Sequence, residues 1–207
     1  MQIIISIVAI LIGYLSGSIP MGYLVARMYG VDVTSKGSGR IGGTNVLRAA
    51  GTLAAGLTVL GDVLKGLVPV YFVSILGNVL DMPLTAALTA SAAVLGHNYS
   101  GFLRFRGGVG AGTAIGAVGG LNFPIGLIAA ACGLTALGIS RYASVLSTTI
   151  AVASLLLLTG SAILGYTPYE YIVAGVLNLL MMFYALRPNF ARLRAGTERR
   201  IGGPKQE

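Results

Sequence analysis

Charged side chains are scarce in this sequence of 207 residues, at 10% against 55% hydrophobic. A water-facing domain of similar size carries about 25% charged residues, so too few are present to cover a solvated surface. The composition is that of an integral membrane protein. Acidic groups are the scarcest, six against fourteen Lys and Arg, which leaves a net charge of +8. That balance admits nucleic acid, anionic lipid or a phosphorylated substrate as a partner. A lone cysteine, Cys132, lies in an apolar run and excludes a disulfide framework. No repeat of 20–50 residues and no low-complexity segment is present, so residues 1–207 read as one helical domain. The N-terminal run lacks both a basic leader and a small-residue cleavage site, and reads as a spanning helix.

Long apolar runs dominate what is there. The first, residues 3–25, is long enough to cross a hydrocarbon core of about 30 Å and contains Gly13, Gly17 and Pro20. The second, residues 53–76, carries Asp62 and Lys65, which share one helix face. Charges at that depth face a bundle interior, either as an ion pair that orients helices or as part of the chemistry. A third run covers residues 84–95. Residues 114–139 are interrupted by Asn122-Phe123-Pro124, and since proline disfavours helix in the preceding residue, this run is expected to form two helices at a hairpin. One kinked span is the competing reading. Runs 145–164 and 169–186 complete the set.

The cations choose between six and seven spans. Arg27, Lys36, Arg40 and Arg48, then Arg104 and Arg106, then Arg141, then a tail with Arg187, Arg192, Arg194, Arg199, Arg200 and Lys205, all fall in alternate connections. The intervening connections hold no Lys or Arg. With seven spans every cation except Lys65 lies on one side, which the positive-inside rule makes cytoplasmic. The expected fold is therefore an all-α polytopic membrane protein with about seven transmembrane helices, its N-terminus outside and its C-terminus in the cytoplasm. Positive charge spent on topology removes most of the case for nucleic acid.

Two glycine-rich basic loops stand out. Residues 34–48 hold four glycines with Lys36, Arg40 and Arg48 beside Ser38, Thr44 and Asn45, and residues 96–113 hold His97, Arg104, Arg106, Gly107, Gly108 and Gly110. Glycines let backbone N–H groups close on an anion as a nest, and cations supply charge around it. The first loop is expected to bind a phosphate group at the membrane surface. A flexible basic connector is the alternative.

These residues resemble the bacterial acylphosphate:glycerol-3-phosphate acyltransferases, integral membrane enzymes of phosphatidic acid synthesis. The resemblance is carried by Gly17-Ser18-Ile19-Pro20, Gly37-Ser38-Gly39 with Thr44-Asn45 and Arg48, Asp62 with Lys65-Gly66, and Gly96-His97. It continues in Phe105-Arg106-Gly107-Gly108 with Gly110, Ser140-Arg141-Tyr142 with Ser144, and Asn189 with Gly196-Thr197-Glu198. It implies seven helices, a bacterial inner-membrane location, and transfer of an acyl group from an acyl phosphate to the sn-1 hydroxyl of glycerol 3-phosphate. An acyl phosphate has a good leaving group, so neither metal nor cofactor is required, and catalysis can rest on positioning and charge stabilisation.

On this resemblance Lys36, Ser38, Gly39, Arg40, Thr44, Asn45 and Arg48 would hold one phosphate, and Arg106, Gly107, Gly108 and Gly110 the other. Ser144 and Asn189 would contact substrate. Arg48, Ser144 and His97 would be the catalytic groups, His97 as a general base or else as a residue bonding loop backbone. Membrane lipid would be the other partner, the helices beside these residues accepting the acyl chain directly from it. The chain departs from the family pattern at Val109 and Leu186, where the family has lysine and histidine, and at Arg40, where it has asparagine. Those departures keep a second expectation open: a non-catalytic or substrate-shifted relative that binds an anionic lipid or phosphometabolite.

Overall fold

The computed structural model describes residues 1–203, so Lys205 of the basic tail lies outside the described residues. Helix α1 (Gln2–Ser18) ends where Ile19 precedes Pro20, and α2 (Met21–Met28) resumes at once. The expected first span is thus broken near its end. Proline removes an amide that would continue the helical ladder, and at the break the Ile19 carbonyl accepts from the Met21 amide at 3.0 Å and from Lys65 Nζ at 2.8 Å. Beyond α2, Asp32 accepts from the Thr34 amide at 3.0 Å and starts a 3₁₀ turn, Val33–Ser35. Thr34 and, more weakly, Arg27 hold the Asp32 carboxyl below the usual carboxylate range.

The first glycine-rich segment is not all loop. Residues Gly43–Ala50 form helix α3, which places Thr44, Asn45 and Arg48 on a helix. The flexible-connector reading fails for this half because α3 buries Val46 in a small cluster with Val25, Ala26, Val33, Ile41 and Ala54. Leu103 of the second loop packs on that same cluster. The two loops therefore share apolar ground.

Helix α4 (Thr52–Val79) is followed by α5 (Pro83–Asn98), α6 (Ala111–Leu121) and α7 (Phe123–Ser140). The break at Asn122 falls where expected, and Asn122 Oδ1 caps α7 by accepting from the Ile125 amide at 3.1 Å. A Cβ added at Gly126 would lie 2.6 Å from Gly119, so α7 folds back along α6 as a hairpin. Helix α8 (Ala143–Ile163) and α9 (Tyr171–Arg194) end the bundle. Helix α9 runs past the expected end at Leu186, through Pro188, and so carries Asn189 and Arg192 on a helix.

Among the described residues, five segments are long and apolar enough to cross a membrane: residues 2–28, α4, α7, α8 and α9. Helices α5 and α6, with 16 and 11 residues, are shorter. All regular elements among the described residues are helical. The helices meet through small residues, which let backbones close without a hydrophobic driving force between them. Helices α4 and α6 make such a contact: Gly66 faces the Thr113 carbonyl, and a Cβ at Gly116 would sit 1.9 Å from the Val63 carbonyl. Gly116→Ala should push the two helices apart and lower the apparent Tm in detergent by about 5 °C, the scale of about 2 kcal/mol of overpacking. Thermal unfolding followed by size-exclusion chromatography measures it.

Candidate active site at the basic face

The first loop is shaped by one buried amide. Asn45, 3% exposed, lies on α3 and donates from Nδ2 toward the carbonyls of Val33, Lys36 and Arg40 at 3.1, 3.0 and 2.9 Å. Its Oδ1 accepts from the Ser38 amide at 3.1 Å. The Gly39 amide donates to the Lys36 carbonyl at 2.9 Å, and the Arg40 amide to Ser38 Oγ at 3.4 Å. The amides of residues 38–40 are thus taken up within the loop, against the expectation that residues 34–48 bare a backbone nest. Asn45 likewise holds the loop together rather than presenting its amide to a ligand. Lys36, Ser38 and Gly39 are exposed, and Thr44 is half-buried in the first turn of α3.

A polar web links this loop to the other end of the chain. Arg40 Nη1 donates to Asn189 Oδ1 at 2.9 Å, and Nη2 to the Ala185 carbonyl at 2.6 Å. Asn189 Nδ2 donates to Glu198 Oε1 at 2.7 Å, which Ser144 Oγ approaches at 3.5 Å, and Arg192 Nε donates to Glu198 Oε2 at 2.8 Å. Partial burial and the neighbouring Arg192 push the Arg40 guanidinium below its ordinary value, while Glu198 opposes them; an arginine in this setting stays charged. Arg48 is exposed on α3 and its Nη2 donates to the Arg199 carbonyl at 3.4 Å. The tail then crosses to the start of α8, where the Ile201 amide donates to the Arg141 carbonyl at 2.8 Å and Arg200 Nε to Tyr142 Oη at 3.0 Å. Residues 40, 48, 144 and 189 are thereby brought to one place. Glu198, at its centre, was not among the expected site residues. Its signal in sequence was a lone carboxylate among Arg192, Arg194, Arg199 and Arg200.

The second glycine loop is organised from below. Lys65 Nζ pairs with Asp62 Oδ1 at 2.8 Å, both buried, and His97 Nδ1 stands 3.5 Å from the same oxygen and 3.2 Å from Thr113 Oγ1. The Gly108 amide donates to the His97 carbonyl at 3.1 Å, and a Cβ at Gly108 would lie 2.3 Å from His97 Nε2. The imidazole, 2% exposed, is closed in by the loop. A general base needs a substrate proton within hydrogen-bond reach, so the general-base reading of His97 gives way to the loop-ordering one. The Gly108 amide is likewise committed inward, against the nest expectation. Gly110 takes φ +90° and starts α6, and Arg106 is exposed at the loop's edge. Val109 packs on the apolar core and Leu186, 1% exposed, is buried, so neither adds charge.

Five long apolar helical segments capped on one face by guanidinium groups and a buried carboxylate define a multi-pass membrane protein with a cationic site. The profile of the glycerol-3-phosphate acyltransferase family matches residues 7–196. The chain is 42% identical over 201 residues to the glycerol-3-phosphate acyltransferase of Rubrobacter xylanophilus, covering 96% of each chain, and 44% identical over 193 residues to that of Thermus thermophilus, covering 93% and 94%. Among solved structures it resembles PlsY, an integral membrane glycerol 3-phosphate acyltransferase, in its glycerol 3-phosphate form. The TM-score is 0.85 with 31% identity over 95% of this chain and 96% of that one. A second form of PlsY, with lysophosphatidic acid, gives a TM-score of 0.83. The chain belongs to the glycerol-3-phosphate acyltransferase family. It is an integral membrane acyltransferase of phospholipid synthesis.

Proposed function

We propose that the basic face binds two phosphorylated reactants and transfers an acyl group from an acyl phosphate to the sn-1 hydroxyl of glycerol 3-phosphate. The products are lysophosphatidic acid and inorganic phosphate. The observation that carries this reading is the web joining Arg40, Asn189, Glu198 and Ser144 beside Arg48. It converges residues from three distant parts of the chain on one cationic cluster. The glycerol 3-phosphate and lysophosphatidic acid forms of the solved relative support the choice of acceptor and product.

The chemistry asks for positioning and charge. The acceptor oxygen forms an ester with the acyl carbonyl carbon as the bond to phosphate breaks, and the departing phosphate takes the hydroxyl proton. Guanidinium forks match phosphate oxygens in pairs, so Arg40, Arg48 and Arg106 would hold the phosphates, with Lys36, Ser38 and Thr44 at the rim. Ser144 and Asn189 would orient the acceptor, and Asn45, Gly107, Gly108 and Gly110 would keep the two loops in shape. No cofactor or metal is needed. Arg40 supplies a cation next to Leu186, which favours this reading over a non-catalytic or substrate-shifted relative.

The chain would work as one unit of seven crossings in the bacterial inner membrane, N-terminus outside and basic face in the cytoplasm. Helix α5 is about 24 Å long and α6 about 16 Å, so the second loop would complete the crossing that α6 begins. The one-sided distribution of cations supports this orientation. Purified protein in nanodiscs is expected to release phosphate when given an acyl phosphate and glycerol 3-phosphate together, and to form lysophosphatidic acid. No release above a mock preparation would overturn the reading, and equal activity with acyl-coenzyme A would overturn the choice of donor.

A further inference from the structure

The tip of the second loop, residues 101–105, has no part in the pocket described above, yet it is rigidly built. Ser100 Oγ donates to the Ser18 carbonyl at 2.5 Å, the Gly101 amide faces Ser18 Oγ at 3.5 Å, and Tyr14 Oη donates to the Tyr99 carbonyl at 3.0 Å. The Phe105 amide closes the tip on the Ser100 carbonyl at 2.8 Å. Arg104 and Phe105 stand in succession in the left-handed region, at φ +53° and +61°. Bulky residues adopt that conformation only where the surroundings impose it. The result is outward presentation of Phe102 and Phe105, 60% and 67% exposed, on either side of an exposed Arg104.

The depth of the tip can be read from α1. At the far end of the bundle Gln2 Nε2 donates to the Leu80 carbonyl. Sixteen residues later, about 24 Å along the helix, stands Ser18. A hydrocarbon core about 30 Å thick starting near Gln2 therefore ends about 6 Å beyond Ser18. Helix α1 is exposed to the surroundings along Ile4, Ile7, Leu11 and Leu15, which is a lipid-facing stripe. The tip hangs beside this stripe at the level where acyl chains give way to headgroups.

We propose that residues 101–105 form an interfacial foot: Phe102 and Phe105 seat among the upper acyl carbons, and Arg104 binds the phosphate of anionic lipids in that leaflet. Phe side chains of interfacial segments bury into the headgroup–acyl boundary, and a cation there gains from the negative surface potential. Arg106 is assigned to the substrate pocket and not to the foot. Because Leu103 packs on the cluster that carries the first loop, the foot ties the site's height to the lipid surface.

The chain has no tryptophan, so Phe105→Trp in the full protein creates a single tryptophan at the tip, excited apart from the tyrosines at the red edge of the absorption band. In nanodiscs of phosphatidylcholine its emission is expected to be blue-shifted and quenched by lipids brominated high on the acyl chain. Adding phosphatidylglycerol should strengthen the quenching. Arg104→Gln should weaken the preference for phosphatidylglycerol about fivefold, equivalent to about 1 kcal/mol. Water-like emission with no quenching overturns the proposal. So does blue-shifted emission that no brominated lipid quenches, which would mean a protein partner, and so does quenching indifferent to both phosphatidylglycerol and Arg104→Gln. Phe102→Trp serves in the same scheme if the first variant does not elute as the wild type.

Discussion

Arg40→Ala is expected to lower kcat/KM for glycerol 3-phosphate by about two orders of magnitude. Its guanidinium spans from the first loop to α9, bonding Asn189 at 2.9 Å and the Ala185 carbonyl at 2.6 Å. Alanine removes a cation from the pocket, leaves the Ala185 carbonyl without that donor, and releases Asn189 on the Arg40 side. A hydrogen bond involving a charged group contributes about 1.5–3 kcal/mol, and each 1.4 kcal/mol is tenfold. Losing one substrate contact of that kind, together with the orientation of Asn189, reaches about a hundredfold. Arg40→Lys keeps the charge but not the two-pronged geometry, so it should fall between alanine and wild type. The measurement is phosphate release against glycerol 3-phosphate concentration, with thermal unfolding as a check on the fold. An alanine variant with unchanged kcat/KM would remove Arg40 from the site.

Gly107→Ala should be as damaging, for a steric reason. A Cβ there would lie 1.9 Å from the His97 carbonyl and 2.6 Å from that of Asn98, both backbone atoms at the end of α5. Neither can swing aside, so the loop must lift. A displacement of about 1 Å at a site that works by positioning can cost about 10²-fold in rate. The loss should fall on kcat, and the apparent Tm should drop by a few degrees as Gly108 loses its bond to the His97 carbonyl. Gly42→Ala is the matching control in the first loop: nothing lies within 4 Å of the added methyl group, and its φ of −76° suits any residue. Activity should be kept there. Equal loss in both variants would mean that tight packing over His97 is not what the second loop requires.

The membrane character, the run-by-run helical pattern and the hairpin at Asn122 were legible because each depends on local composition: apolar length, and a proline that stops a turn. The end of α9 was misjudged because the Arg-rich stretch after Leu186 reads as tail, although Pro188 is accommodated inside the helix. Helix α3 was missed as well. Its eight residues include two polar positions and one cation, and only the burial of Val46 in a cluster drawn from distant residues makes it a helix. The glycines were expected to bare their amides to phosphate. Gly37, Gly107 and Gly108 instead admit backbone or side chain at close range, a property invisible until the partner segments are in place.

By itself the sequence determined that this chain enters a bilayer and that glycine-rich basic segments interrupt its helices. Those follow from side-chain solvation and from backbone freedom, which belong to each residue wherever it sits. Tertiary structure alone decided that Arg40 meets Asn189 across the bundle, that Glu198 becomes the acceptor for Asn189 and Arg192, and that His97 is enclosed beneath Gly108. The first joins residues 149 positions apart and the other two need a loop to fold back on its own helix, so only the packed bundle brings their atoms within hydrogen-bonding distance.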